Sequence, residues 1–210
     1  MNVPAIDANI QGEIPDAHAR RVVSEMLDFL AGAAASFTPA LEHAMRQPIG
    51  GNPKAQRKFV DRVAETRSPA IIDFVTLYGK RCKFGMAISI WRADAHGGAT
   101  VWQYFARADG PGTEQRRAGP LWRITQHALA RLVQRSGAHD AIKLLAAMRE
   151  LGKEVTNGMA SAHLLRGDGK ILYVKFNGGT VVLEWPEDSD VALVKTVLSP
   201  DMAHPLPGLH

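Results

Sequence analysis

Between Ile124 and Arg135 the chain reads Ile-Thr-Gln-His-Ala-Leu-Ala-Arg-Leu-Val-Gln-Arg. At ~100° per residue, positions four apart stay on one face of a helix. His127, Arg131 and Arg135 therefore line up, with Gln134 beside them, while Leu129, Leu132 and Val133 occupy the other side. The helix offers an apolar side to a core and a side bearing an imidazole and guanidinium groups. That set suits phosphodiester chemistry. Attack of an RNA 2′-hydroxyl on its own phosphate needs a base, an acid for the leaving oxygen, and donors around the charged phosphorane. Histidine does acid–base work near neutral pH. Arginines hold phosphate oxygens through paired donors and stabilise developing charge. His127 also falls in the first turn, where a helix N-terminus favours anions. An ordinary surface helix presents the same pattern, so spacing alone leaves both readings open.

The elements that must position this face are legible in part. Thr125 precedes the helix, which runs from Gln126 to Arg135 and stops at Ser136-Gly137. A second helix, about Asp140 to Lys153, carries Ile142, Leu144, Leu145, Met148 and Leu151. Runs at Ala162–Arg166, Ile171–Phe176, Thr180–Trp185 and Val191–Leu198, separated by turns such as Asn177-Gly178-Gly179, predict a four-stranded antiparallel meander. Upstream, helical spacing runs from Asp16, read as an N-cap, to Ala35; Pro39 opens a short helix to Arg46. Asn52-Pro53 starts another, with Lys54, Arg57, Lys58, Arg62 and Arg67 on its polar face. Residues 69–79 fit helix or strand. Met86–Trp91 and Thr100–Ala106 flank the turn Asp94-Ala95-His96-Gly97-Gly98 as a β-hairpin. The polar stretch from Asp109 to Pro120 reads as a connector and as the best boundary in the chain. The expected class is thus α+β, with an N-terminal, mainly helical region carrying a hairpin (1–120), a helix pair plus antiparallel sheet (121–200) and a tail (201–210).

The whole chain narrows the setting. With 210 residues, 46% hydrophobic and 22% charged, it has the ordinary globular mixture and length for a real core. No apolar run reaches bilayer-spanning length, and the first residues lack a basic region followed by an apolar stretch. A cytoplasmic protein with no membrane partner is expected. Cys82 is the only cysteine, which rules out an intrachain disulfide and a cysteine-based zinc site. His139 reads as a loop residue in the inter-helix turn, and His163 either reaches the same side as the helix or packs. His18, His43, His96, His204 and His210 show no metal-ligand spacing, so neither a metal nor a cofactor is expected. A net charge of +4 and a pI near 9.4 are compatible with an anionic partner without naming one.

The pattern Thr125-x-His127-Ala128-x-x-Arg131-x-x-x-Arg135, two helices and a meander ending in Val194-Lys195-Thr196-Val197 resembles the barnase–EndoU–colicin–RelE-type superfamily of small bacterial ribonucleases, especially its toxin branches. The likeness covers about residues 121–200. It implies a metal-independent ribonuclease with the helix and sheet as its active face, His127 as acid or base, Arg131 and Arg135 on phosphate, and Thr196 facing the scissile group. RNA is the implied partner, with a cognate inhibitor protein beside it. Strand alternation leaves open whether Thr196 or Lys195 points into a cleft. Lys175, alternating with Tyr173, is a phosphate contact or a plain solvent-facing lysine. Gln134 joins Lys175 and Lys195 as an RNA-binding residue. The alternative is a module without catalysis that binds nucleic acid or a protein, as a phage or plasmid accessory factor would. Its cations would supply salt-dependent affinity, and Trp102, Tyr104 or Tyr173 would stack on bases.

Overall fold

The computed structural model describes residues 14–66, 68–78, 83–110, 112–165, 171–176, 179–186, 189 and 191–199. In chain order the elements are α1 (Asp16–Arg46), α2 (Pro53–Ala64), β1 (Ile71–Tyr78), β2 (Phe84–Ala93), β3 (Ala99–Ala108), β4 (Glu114–Ile124), α3 (Gln126–Ser136), α4 (Ala141–Leu165), β5 (Ile171–Phe176), β6 (Gly179–Glu184) and β7 (Ala192–Leu198). The α+β class is as expected, but the four-stranded antiparallel meander is not what forms. One mixed sheet of seven strands runs in the order β1-β2-β3-β4-β7-β6-β5. β1 to β4 pair antiparallel with their sequence neighbours, as do β5 to β7. The two sets join where β4 and β7 run parallel through Trp122↔Ala192, Arg123↔Leu193 and Ile124↔Val194.

Local chemistry accounts for the differences. Of the stretch 162–166, expected as a strand, residues 162–165 lie at the end of α4, because buried Leu144, Met148, Leu151, Val155 and Met159 keep a helical stripe going past Lys153. Residue 166 lies outside the described residues. The polar connector is largely strand β4, whose Glu114 accepts hydrogen bonds from the Ile49 and Gly50 amides at 3.0 and 3.3 Å. Pro39 does not start a new helix; α1 runs through it, with Leu30, Phe37 and Leu41 buried on either side. Packing on both flanks outweighs the one backbone hydrogen bond that proline removes. Asp16 is not the cap of α1 but sits in its first turn, after Pro15.

The sheet is strongly curled, and α4 closes it. A Cβ at Gly152 would lie 2.8 Å from Ile72 Cγ2 on β1, and one at Gly158 would lie 2.9 Å from Val174 Cγ2 on β5. These strands are the two edges of the sheet, yet only ~9 Å of helix rise separates the glycines. The concave face therefore wraps α4. Arg149 completes the seam with β1, its Nε donating to the Ile71 carbonyl and its Nη2 to that of Pro69, both at 3.1 Å.

Two apolar clusters sit on opposite faces. Trp91, Val101, Trp122, Ile124 and Val194 pack on the concave side with α3, α4 and the N-terminal half of α1. Trp91 and Trp122 meet edge to face with ring centroids 4.9 Å apart. Met86, Ile88 and Ile90 point the other way, against Phe37, Leu41 and Met45 of α1 and Phe59 and Val63 of α2. α1 thus serves both clusters. Arg92 ties its far half to the sheet, lying over the Trp102 ring at 4.5 Å, bonding the Tyr104 hydroxyl, and reaching Thr38 Oγ1 at 3.3 Å.

Candidate functional site

α3 forms as its sequence dictates. The Thr125 side chain caps it by accepting from the Ala128 amide at 3.1 Å, and Gly137 ends it in the left-handed region at φ 66°. Ala128, Leu129, Leu132 and Val133 are buried, which leaves His127 exposed in the first turn. The N-terminal turns of α1 pack beside that face. Asp16 and Arg20 of α1 join Gln126, His127 and Ala130 of α3 around a cavity of about 160 Å³. Arg20 Nη2 lies 2.7 Å from Asp16 Oδ2. An imidazole, a carboxylate and a guanidinium therefore line one small polar hollow.

The other residues of this helix face are engaged with the protein itself. Arg131 Nη1 donates to Gln134 Oε1 at 3.0 Å, and Gln134 Nε2 donates to the Ile14 carbonyl at 3.2 Å. Gln134 thus ties α3 to the chain that leads into α1. Arg135 is half-buried, and its Nε is buried without a hydrogen-bond partner among the described residues. Beyond α3, the ring of His139 faces that of His18 at 6.3 Å between centroids, and His18 Nε2 donates to the His139 carbonyl at 3.1 Å. Arg21 Nη2 donates to His18 Nδ1 at 3.1 Å, which fixes the proton on Nε2. The side chain of His163 and all of His204 and His210 lie outside the described residues.

The strand residues go elsewhere. Ala192, Val194 and Val197 are the buried side of β7, under the helices. A register shift in the pairing with β6 changes the alternation between Val194 and Thr196. Thr196 pairs with Val182, which pairs with Tyr173, so these three form a row on the convex face, away from His127. Lys195 is ion-paired with Glu184. Lys175 is exposed on edge strand β5, on the side of the exposed Ile171 and Tyr173. The structure thus brings together His127, Arg131 and Gln134, with Arg135 a turn further on, and does not bring Thr196, Lys175 or Lys195 to them. It adds Asp16 and Arg20, which sequence reading missed. The only local signal was their i,i+4 spacing, which marks a helix ion pair and not a site.

A second hollow, of about 600 Å³, lies on the concave face where β3 and β4 extend past the helices. Gln103, Phe105 and Arg107 line it from β3, and Gln115, Arg117 and Gly119 from β4. They are cross-strand partners: Gln103↔Gly119, Phe105↔Arg117 and Arg107↔Gln115.

No protein-family model, curated protein or solved structure matches the chain. Among the described residues no helix is long and apolar enough to cross a membrane.

Proposed function

We propose that the protein is a metal-independent endoribonuclease acting in the hollow between the N-terminal turns of α1 and α3. The observation that carries the reading is the convergence of Asp16, Arg20 and His127 on one cavity, since RNA cleavage asks for a base, an acid and a phosphate-binding cation at one place. Asp16 takes the proton of the 2′-hydroxyl, whose oxygen attacks phosphorus. The bond from phosphorus to the 5′-oxygen breaks, and protonated His127 gives that oxygen its proton. The products are a 2′,3′-cyclic phosphate and a 5′-hydroxyl. Arg20 holds the non-bridging oxygens, and Arg131, one turn along α3, adds positive potential at the mouth. The helix N-termini favour the same anion.

The test is incubation of total RNA and of tRNA with the purified protein in EDTA, beside His127→Ala. Discrete fragments from the wild type, reduced by a factor of 10² or more in the variant, are the expected outcome. Intact RNA in both lanes, with the protein folded by circular dichroism, overturns the reading. The hollow on β3 and β4 favours a second reading, a module that binds RNA without cutting it. Retention of RNA with no fragments would select it.

A further inference from the structure

We infer that the concave strip of β3 and β4 is a platform for single-stranded RNA; the inference rests on RNA being the ligand, and holds whether or not the α1–α3 hollow cuts it. Alternation puts Gln103, Phe105 and Arg107 in a row on β3, and Gln115, Arg117 and Gly119 in a facing row on β4. Side chains two apart on a strand stand ~7 Å apart, close to the repeat of phosphates along an extended single strand.

Each position supplies a different part of strand recognition. Phe105 is half-buried and pairs with exposed Arg117, so an aromatic floor lies beside a cation. A base stacked on such a ring needs no particular identity, because every base has a π-face. Gly119 opens the floor further, with nothing within 4 Å of where its Cβ would stand. The amides of Gln103 and Gln115 can donate to and accept from base edges. Arg117 forms no ion pair among the described residues, whereas Arg107 is held 2.8 Å from Asp109 at the far end. The net positive charge of the lining fits phosphates.

The geometry selects a single strand over a duplex. Bases inside a duplex stay stacked and cannot reach a recessed ring, whereas the unstacked bases of a single strand can be splayed onto it. It also separates this face from the aromatics that the sequence suggested. Tyr104 and Trp102 point to the opposite side and are engaged with Arg92 beneath α1.

The probe is a fluorescent 2′-O-methyl oligoribonucleotide, which lacks the attacking hydroxyl and so reports binding alone. It is titrated against the full chain, Phe105→Leu and Arg117→Ala over a salt series, with a duplex of the same sequence alongside and unmodified RNA in a parallel cleavage assay. Phe105→Leu should weaken binding about tenfold. Arg117→Ala should lower the slope of log Kd against log salt by about 0.7, the loss of one phosphate contact to a single strand. Arg117 is exposed, so its removal leaves the fold intact, which circular dichroism checks. Unchanged affinity and slope in both variants, or equal affinity for the duplex, overturns the platform while leaving an RNA-cleaving protein standing. No binding and no cleavage by the wild type removes the RNA reading and the platform with it.

Discussion

Asp94 shows how a single side chain can organise a turn. Its Oδ1 accepts from the His96 and Gly98 amides at 2.8 and 3.0 Å, and its Oδ2 faces Arg123 Nη2 at 3.2 Å. Burial alone would raise the carboxyl, but the Gly98 and His96 amides and the Arg123 guanidinium outweigh it and hold the group below its ordinary value. A lowered folded-state value means stability that is complete above the unfolded value of about 3.9 and lost as pH falls through the folded one. Asp94→Ala should cost about 1–3 kcal/mol at neutral pH. Asp94→Asn should flatten the decline in melting temperature below about pH 4, the pH range that thermal melts would resolve. The turn itself was legible, because Asp94-Ala95-His96-Gly97-Gly98 is rich in the residues that turns require. So was the outward face of His127, from spacing alone. The arrival of Asp16 and Arg20 beside it was not, because no local pattern records which distant helix packs on a given face.

At the scale of elements, glycine in a helix normally lowers stability, and the two glycines of α4 should behave in the opposite way. Gly32, exposed on α1, has nothing within 4 Å of its missing Cβ, so Gly32→Ala should stabilise the protein by about 0.5–1 kcal/mol. Gly152 lies against Ile72 and Gly158 against Val174, both β-branched side chains that cannot rotate aside easily. Gly152→Val should therefore cost about 1–3 kcal/mol despite a better helix propensity, and urea denaturation of the two variants would show opposite signs. The second helix, expected to end near Lys153, runs on to Leu165 because Val155 and Met159 continue its buried stripe. β4 was hidden because Gly110, Gly112, Gly119 and Pro120 punctuate a polar run. Its outward side chains are polar because they face a groove and the loop at Ile49 and Gly50. In contrast, α3 and the β2–β3 hairpin carry clean periodicity and conventional stops, and were read correctly.

For the whole molecule, the instructive feature is how the two strand sets meet. β1–β4 and β5–β7 are each built from sequence neighbours, whereas the parallel seam pairs Trp122 with Ala192 across the intervening helices. That closure was invisible in the sequence, where neither the polar run of β4 nor the apolar run of β7 says anything of a mutual register. It also sets an order of events. Short-range hairpins close quickly, while contacts between distant residues wait for the chain between them to become compact. The seam should be among the last structures made and the first lost. Val194→Ala, on that seam, should then speed unfolding in stopped-flow experiments by nearly the whole of its stability loss, leaving the refolding rate almost unchanged. A substitution within β2 or β3, such as Ile88→Val, should instead slow refolding. The three-rung ladder between β4 and β7 is thus a latch: its release rate, more than the depth of either core, would govern how long the native state survives once made.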